Sequence, residues 1–175
     1  MQTVFFSFQI DGTAQSSYIP IGRIVKIEGM QAVRKFYEGL EEEFTDALNE
    51  MLVFDAVICN TDRHFGNFGV LIDNDTNKIV KPAPLFDHGI SLFNFAGRED
   101  LETEENLEQY ISTLLPQTYD DFIDYAKKNM TDKNREQVRH LLAYKLKKNP
   151  RYNLPEDRYQ MIAKQICKRA SLLLR

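Results

Sequence analysis

The 175-residue sequence has no tryptophan, only two cysteines, six prolines and eight glycines, and each scarcity removes a class of protein. Cys59 and Cys167 lie far apart and each sits in an apolar helical pattern, so a disulfide-stapled framework is excluded and both are expected as reduced core residues. No apolar run approaches the roughly 20 residues that a membrane helix needs. The opening MQTVFFSFQIDG has no basic residue ahead of its aromatic cluster, unlike a secretory leader, which makes the cytoplasm the default expectation. The glycines never form Gly-x-Gly or Gly-Lys, so the sequence holds neither a glycine-rich phosphate-covering loop nor a P-loop. A net charge of −4 lacks the cationic excess of a general nucleic-acid binder.

What is present is the balance of a globular protein, 43% hydrophobic and 27% charged, at a length that supports one compact domain. The prolines fall at Pro20, Pro82, Pro84, Pro116, Pro150 and Pro155, all between periodic stretches, and no internal repeat is visible. A single unit over 1–175 is therefore expected, with an irregular segment at 1–29, a helix, loop and hairpin at 30–93, and helices at 94–175. Within 1–29, Phe5, Phe6, Phe8 and Ile10 form an aromatic stretch before Asp11-Gly12, and Ile24-Val25-Lys26-Ile27 is a β-type run.

From about Glu38 to Ile58 the residues Leu40, Phe44, Leu48, Met51, Leu52, Asp55 and Ile58 recur at helical spacing, with Glu41, Glu42 and Glu43 near the end that favours negative charge. The period breaks at Asn60-Thr61-Asp62-Arg63-His64-Phe65-Gly66-Asn67, which must be a loop. Phe68 to Ile72, the turn Asp73 to Asn77, and Ile79-Val80 then predict a β-hairpin. After Pro82 and Pro84, Leu85-Phe86 predicts an extended piece that delivers Asp87. Four further apolar periods, around Leu107–Leu114, Tyr119–Ala126, Val138–Lys145 and Tyr159–Leu173, predict helices, and Thr118 with Asp121 predicts an N-terminal cap. The fold class is α+β, mainly α.

The stretch from Asp62 to Asp87 carries the chemistry. Phosphoryl transfer asks a protein for a carboxylate to orient and deprotonate the attacking hydroxyl, and for oxygen ligands that hold Mg²⁺ against the phosphates. A loop with an aspartate and, five residues on, an asparagine supplies a base and an amide oxygen; a second carboxylate arrives beyond the hairpin. In this reading Asp62 is the base and Asn67 and Asp87 bind metal.

Asn60-x-Asp62-Arg63-His64-x-x-Asn67 followed by Phe86-Asp87-x-Gly89 resembles the catalytic and metal-binding motifs of HipA-like Ser/Thr kinases, and Met51-Leu52-x-Phe54-Asp55 and Phe68-Gly69-x-Leu71 also fit. The same residues are similar to the phosphoinositide-kinase group. The resemblance spans residues 48–93 most strongly and does not reach residues before about 30. It implies a protein-kinase-like C-terminal lobe, a helical bundle with a small hairpin carrying the catalytic loop, that uses ATP and Mg²⁺. Asp62, Arg63 and Asn67 become catalytic residues, Asn67 and Asp87 metal ligands, and His64 a contact to nucleotide phosphate or loop backbone. Arg63 is expected to pair with a carboxylate or phosphate. Its implied partners are a protein substrate bearing Ser or Thr and either an upstream kinase lobe or an antitoxin-like protein; membrane association and direct nucleic-acid binding are not expected. Two alternatives stay open: an inactive stand-alone lobe acting as a regulatory or toxin–antitoxin-type binding module, and a lipid or small-molecule kinase.

The chain departs from the family upstream. Lys26, with Glu38 or Glu41 as partner, superficially matches the phosphate-gripping lysine, but only 36 positions separate it from Asp62, and a C-terminal-lobe piece with weak nucleotide affinity of its own is the expectation. Asp73-Asn74-Asp75-Thr76-Asn77 begins like a calcium loop, yet Lys78 and Pro84 stand where glycine and glutamate are needed, so it reads as a solvated turn. Cys59, His64 and His88 lack zinc-site spacing, and His88 reads as structural. Lys145, Lys147, Lys148, Arg151, Lys164, Lys168, Arg169 and Arg175 read as solvated helix faces. The run Asn94 to Asp100, within a segment 94–106 beyond the metal aspartate, is the first candidate for a mobile activation-loop analogue.

Overall fold

The computed structural model describes residues 7–10, 14–25, 29–149, 151 and 154–175, and the chain divides into two compact units. The first unit comprises 1–48 and 63–87, the second 49–62 and 88–175. Among the described residues no helix is long and apolar enough to cross a membrane.

The first unit is built on a four-stranded antiparallel sheet in the order β1 (Ser7–Ile10), β2 (Ala14–Pro20), β3 (Gly69–Asp73) and β4 (Ile79–Pro82). The hairpin β3–β4 falls where the sequence placed it. Residues 1–29, expected to be irregular, instead hold both β1 and β2 and a helical turn, α1 (Ile21–Ile24). Strand β2 has few apolar residues of its own; pairing makes it a strand, with Tyr18 opposite Leu71 and Pro20 opposite Gly69. Ile24 lies in α1 rather than in a β-run, and Lys26 and Ile27, like Phe5, Phe6, Asp11 and Gly12, fall outside the described residues.

Helix α2 (Met30–Glu38) follows, burying Met30, Val33 and Tyr37 on one face. The expected helix from Glu38 to Ile58 begins later, as α3 (Glu42–Ile58), because Gly39 closes α2 with its N–H on the carbonyls of Lys35, Phe36 and Tyr37. The Tyr37 hydroxyl donates to the Gly69 carbonyl at 3.1 Å. Gly69 must be glycine: a Cβ there would stand 2.1 Å from the Ile19 carbonyl oxygen. Residues 83–88 have no regular structure, so the piece at Leu85-Phe86 that delivers Asp87 belongs to no strand.

The second unit holds the second half of α3, then α4 (Glu104–Ser112), α5 (Phe122–Asn129), α6 (Asp132–His140) and α7 (Glu156–Leu174). From Met51 to Ile58 every residue but Phe54 is buried, as befits a helix enclosed on nearly all sides. Helix α7 buries Ile162, Ile166, Ala170 and Leu173 at helical spacing and reaches its neighbours by polar contacts. Arg169 donates to the Ala56 carbonyl of α3 and lies over the Phe122 ring, and Lys164 and Lys168 pair with Glu104 and Glu108 of α4 at 2.6 Å. Arg169 is thus buried within the bundle rather than solvated, whereas Lys164 and Lys168 pair on its solvated surface. The N-terminal cap of α5 is Asp121 itself, which accepts from the Asp124 N–H at 2.7 Å, and not Thr118. Helix α6 ends at His140, short of the Lys145 expected, and Leu141–Ala143 tighten into a 3-10 turn. Both cysteines are free thiols: Cys59 is buried and Cys167 half-buried.

Candidate active site

Helix α3 stops because Cys59 turns into the left-handed region at φ 51. Burial pushes its thiol up to about 11, so it is a packed, protonated side chain and no nucleophile at neutral pH. Asn60, fully buried, then organises the next residues. Its amide donates to the Asp55 carboxylate at 2.9 Å, its backbone N–H donates to the Asp55 carbonyl at 3.1 Å, and its side-chain oxygen accepts the Asp62 N–H at 3.2 Å. One buried asparagine therefore links the last turn of α3 to the backbone of Asp62. The Thr61 N–H donates to Ile90 at 3.3 Å and the Leu92 N–H to Ile58 at 2.8 Å, so the segment after Asp87 is stitched to this same turn. The Asp62 side chain is half-buried.

In the first unit the loop continues with Arg63, a fully buried guanidinium. Its Nη1 donates at 3.0 Å both to the Asn67 carbonyl and to the Phe86 carbonyl, which lies 23 residues further on. Those two carbonyl oxygens are therefore within about 6 Å of each other, and the chain positions that precede Asp87 and carry Asn67 are pinned by one cation. The contacts expected for Arg63 were a carboxylate or phosphate; these two bonds go to backbone carbonyls. Asp87 itself adopts φ 59, a left-handed conformation that a short polar side chain tolerates, and it is exposed. Asn67 is 5% exposed.

His64 is exposed, and its Nδ1 accepts the Gly66 N–H at 3.0 Å, which is the loop-backbone contact the sequence offered as one of two options. Gly66 is required for it: a Cβ would approach the imidazole to 2.7 Å. Tyr18 closes the loop from β2. Its hydroxyl donates to the Gly66 carbonyl at 2.8 Å and its ring meets Phe86 edge-on at 5.2 Å. Burial raises the Tyr18 phenol above its ordinary value, with Arg63 opposing, so it stays a proton donor across the working pH range. His88, in the second unit, lies edge-on to Phe54 at 5.0 Å.

Tyr18 was missed from sequence because it lies in the segment read as irregular, and a lone tyrosine there gives no signal. Asn60 was visible in the motif but had no assigned role. Asn67 and Asp87 offer an amide oxygen and a carboxylate oxygen, a hard donor pair suited to Mg²⁺, which keeps several waters and takes its remaining ligands from phosphate. Among the described residues no three His, Cys, Asp or Glu side chains gather as a self-contained metal cage.

No protein-family model matches the chain, and no curated protein matches its sequence. Its three-dimensional structure is similar to the crystal structure of the Helicobacter pylori proinflammatory kinase CtkA, with a TM-score of 0.63 over 94% of this chain and 71% of that one, at 16% identity. The fold is kinase-like. At that identity the likeness speaks for the kinase-like fold alone, and the chemistry of this chain rests on its own residues.

Proposed function

We propose that this chain is an ATP- and Mg²⁺-dependent phosphotransferase lobe of HipA-like type that phosphorylates a Ser or Thr hydroxyl on a protein substrate. The observation that carries the reading is Arg63, whose buried guanidinium holds both the Asn67 and Phe86 carbonyls. A fully buried cation is costly unless a fixed geometry uses it, and the positions it fixes are those of the two residues with metal-ligand chemistry. Asn67 and Asp87 would hold Mg²⁺, which supplies charge neutralisation to the phosphates. Asp62 orients the substrate hydroxyl and accepts its proton as that oxygen bonds to the γ-phosphorus and ADP departs. Asn60 keeps Asp62 in place through its backbone N–H. Arg63 acts as a positioning residue, and His64 shapes the loop through Gly66.

The test is transfer of labelled phosphate from ATP to Ser/Thr protein substrates. Asp62→Asn is expected to reduce transfer by at least about 10²-fold, the usual scale for losing a catalytic base, with the thermal melting curve unchanged. Undiminished transfer by Asp62→Asn overturns the assignment.

A further inference from the structure

Beside the catalytic turn, in the second unit, lies a cavity of about 40 Å³ that the reading above leaves unused. Thr61, the residue before Asp62, forms part of its wall, together with Ile90, Ser91, Phe95, Tyr110 and Leu114. Three observations give it character. The Ser91 Oγ is buried and has no hydrogen-bond partner, an orphan that a well-packed interior rarely keeps. Phe95 is 69% exposed at the rim, and Leu115, next to Leu114, is 62% exposed. The segment bearing them is tightly built: Leu92 and Phe93 are both left-handed at φ 50 and 63, the Asn94 N–H donates to Ser91 and the Ala96 N–H to Phe93, so Phe93 is buried while Phe95 faces solvent. The stretch 94–106, expected to be an activation-loop analogue, thus opens on closed turns, and Ile90 and Leu92, which precede it, are tied to Thr61 and Ile58.

Size selects the occupant. One water-sized centre needs roughly 10–15 Å³, so the cavity accommodates about three heavy atoms, the number in a threonine or valine side chain. Its wall combines Ile90, Phe93, Phe95 and Leu114 with polar groups from Thr61, Asn94, Tyr110 and the orphan Ser91 hydroxyl. We infer that this pocket is a specificity site for the protein substrate, receiving a threonine or valine that flanks the phosphorylated residue, with Ser91 favouring threonine. The inference rests on the proposed phosphotransfer to protein, because it is Asp62, one residue beyond Thr61, that fixes where the acceptor hydroxyl must lie.

The test separates the two claims by measuring binding and transfer independently. Synthetic peptides with a central serine and each flanking position varied through Gly, Ala, Val, Thr and Leu are titrated by fluorescence anisotropy against the full chain bearing Asp62→Asn, and are offered with ATP and Mg²⁺ to the unaltered chain. Threonine and valine at one flanking position are expected to bind at least about ten-fold tighter than glycine, the scale of filling a small apolar pocket. Phe95→Ala should remove that preference, and Ser91→Ala should remove only the threonine-over-valine part. Phe95 is exposed, so its loss leaves the fold intact. Preference in binding without any transfer supports the pocket while sinking the kinase reading. Transfer or binding with no flanking preference, or a preference unchanged by Phe95→Ala, overturns the pocket. Absence of both binding and transfer overturns both.

Discussion

Two polar loops in this chain have opposite physics. Asn60 to Asn67 and Asp73 to Lys78 both draw on Asn, Asp, Thr and a basic residue, the first adding His64, Phe65 and Gly66. In the first, Asn60, Arg63 and Asn67 are buried, and Arg63 reaches a carbonyl 23 residues away. In the second every residue from Asn74 to Lys78 is exposed, and the polar needs are met locally: the Asp73 carboxylate accepts the N–H groups of Asp75 and Thr76 and the Thr76 hydroxyl at 2.8 to 3.2 Å. A polar loop that satisfies itself is a connector. One that buries its polar groups and spends them on distant backbone is there to hold something fixed.

The sharpest way to break that comparison is Arg63→Met. It removes both Nη1 bonds and leaves two carbonyls without this donor, so a loss of about 3 kcal/mol is expected in urea unfolding. A cost below about 1 kcal/mol would mean the buried cation fixes nothing. Asn60→Ala comes next, at about 2 kcal/mol, because it cuts the link from Asp55 to the Asp62 backbone. The smallest effect is expected from Asp73→Ala, measured as the shift in Tm, because a solvated turn has water as a substitute partner. Asp73 also has a pH signature. Hydrogen bonds from Thr76 hold its carboxyl below its ordinary value of 3.8. Its contribution is therefore present above about pH 4 and lost as pH falls through the lowered folded value. Replacing it should remove that small contribution at neutral pH and change nothing below the lowered folded value, so the acid side of the stability profile flattens slightly; a larger loss at neutral pH than in Asn60→Ala would reverse the ranking of the two loops.

The hairpin and the C-terminal helices could be read from the sequence because their signals are local: β3 and β4 flank an Asx-type turn, and α7 repeats apolar residues from Ile162 to Leu173. Strand β2 could not, since its strand character comes from pairing with β3 some fifty residues away. Helix α2 was hidden for another reason. It starts at Gly29 with no side-chain cap and no acid in its first turn, and only Met30, Val33 and Tyr37 mark its buried face. The site followed the same division. Asp62, Asn67 and Asp87 stood out by spacing and family resemblance, whereas the bonding of Arg63 depends on a carbonyl that only folding brings near, and Tyr18 acts through a strand that the sequence concealed.

The central claim, that Asn67 and Asp87 form a magnesium–nucleotide site, is tested most directly by calorimetric titration of this chain with ATP, with and without Mg²⁺, alongside Asp87→Ala. The account predicts nucleotide binding that requires Mg²⁺ and disappears in Asp87→Ala while the melting curve of the unliganded chain stays unchanged. Binding that is indifferent to Mg²⁺, or that survives loss of the Asp87 carboxylate, would contradict it.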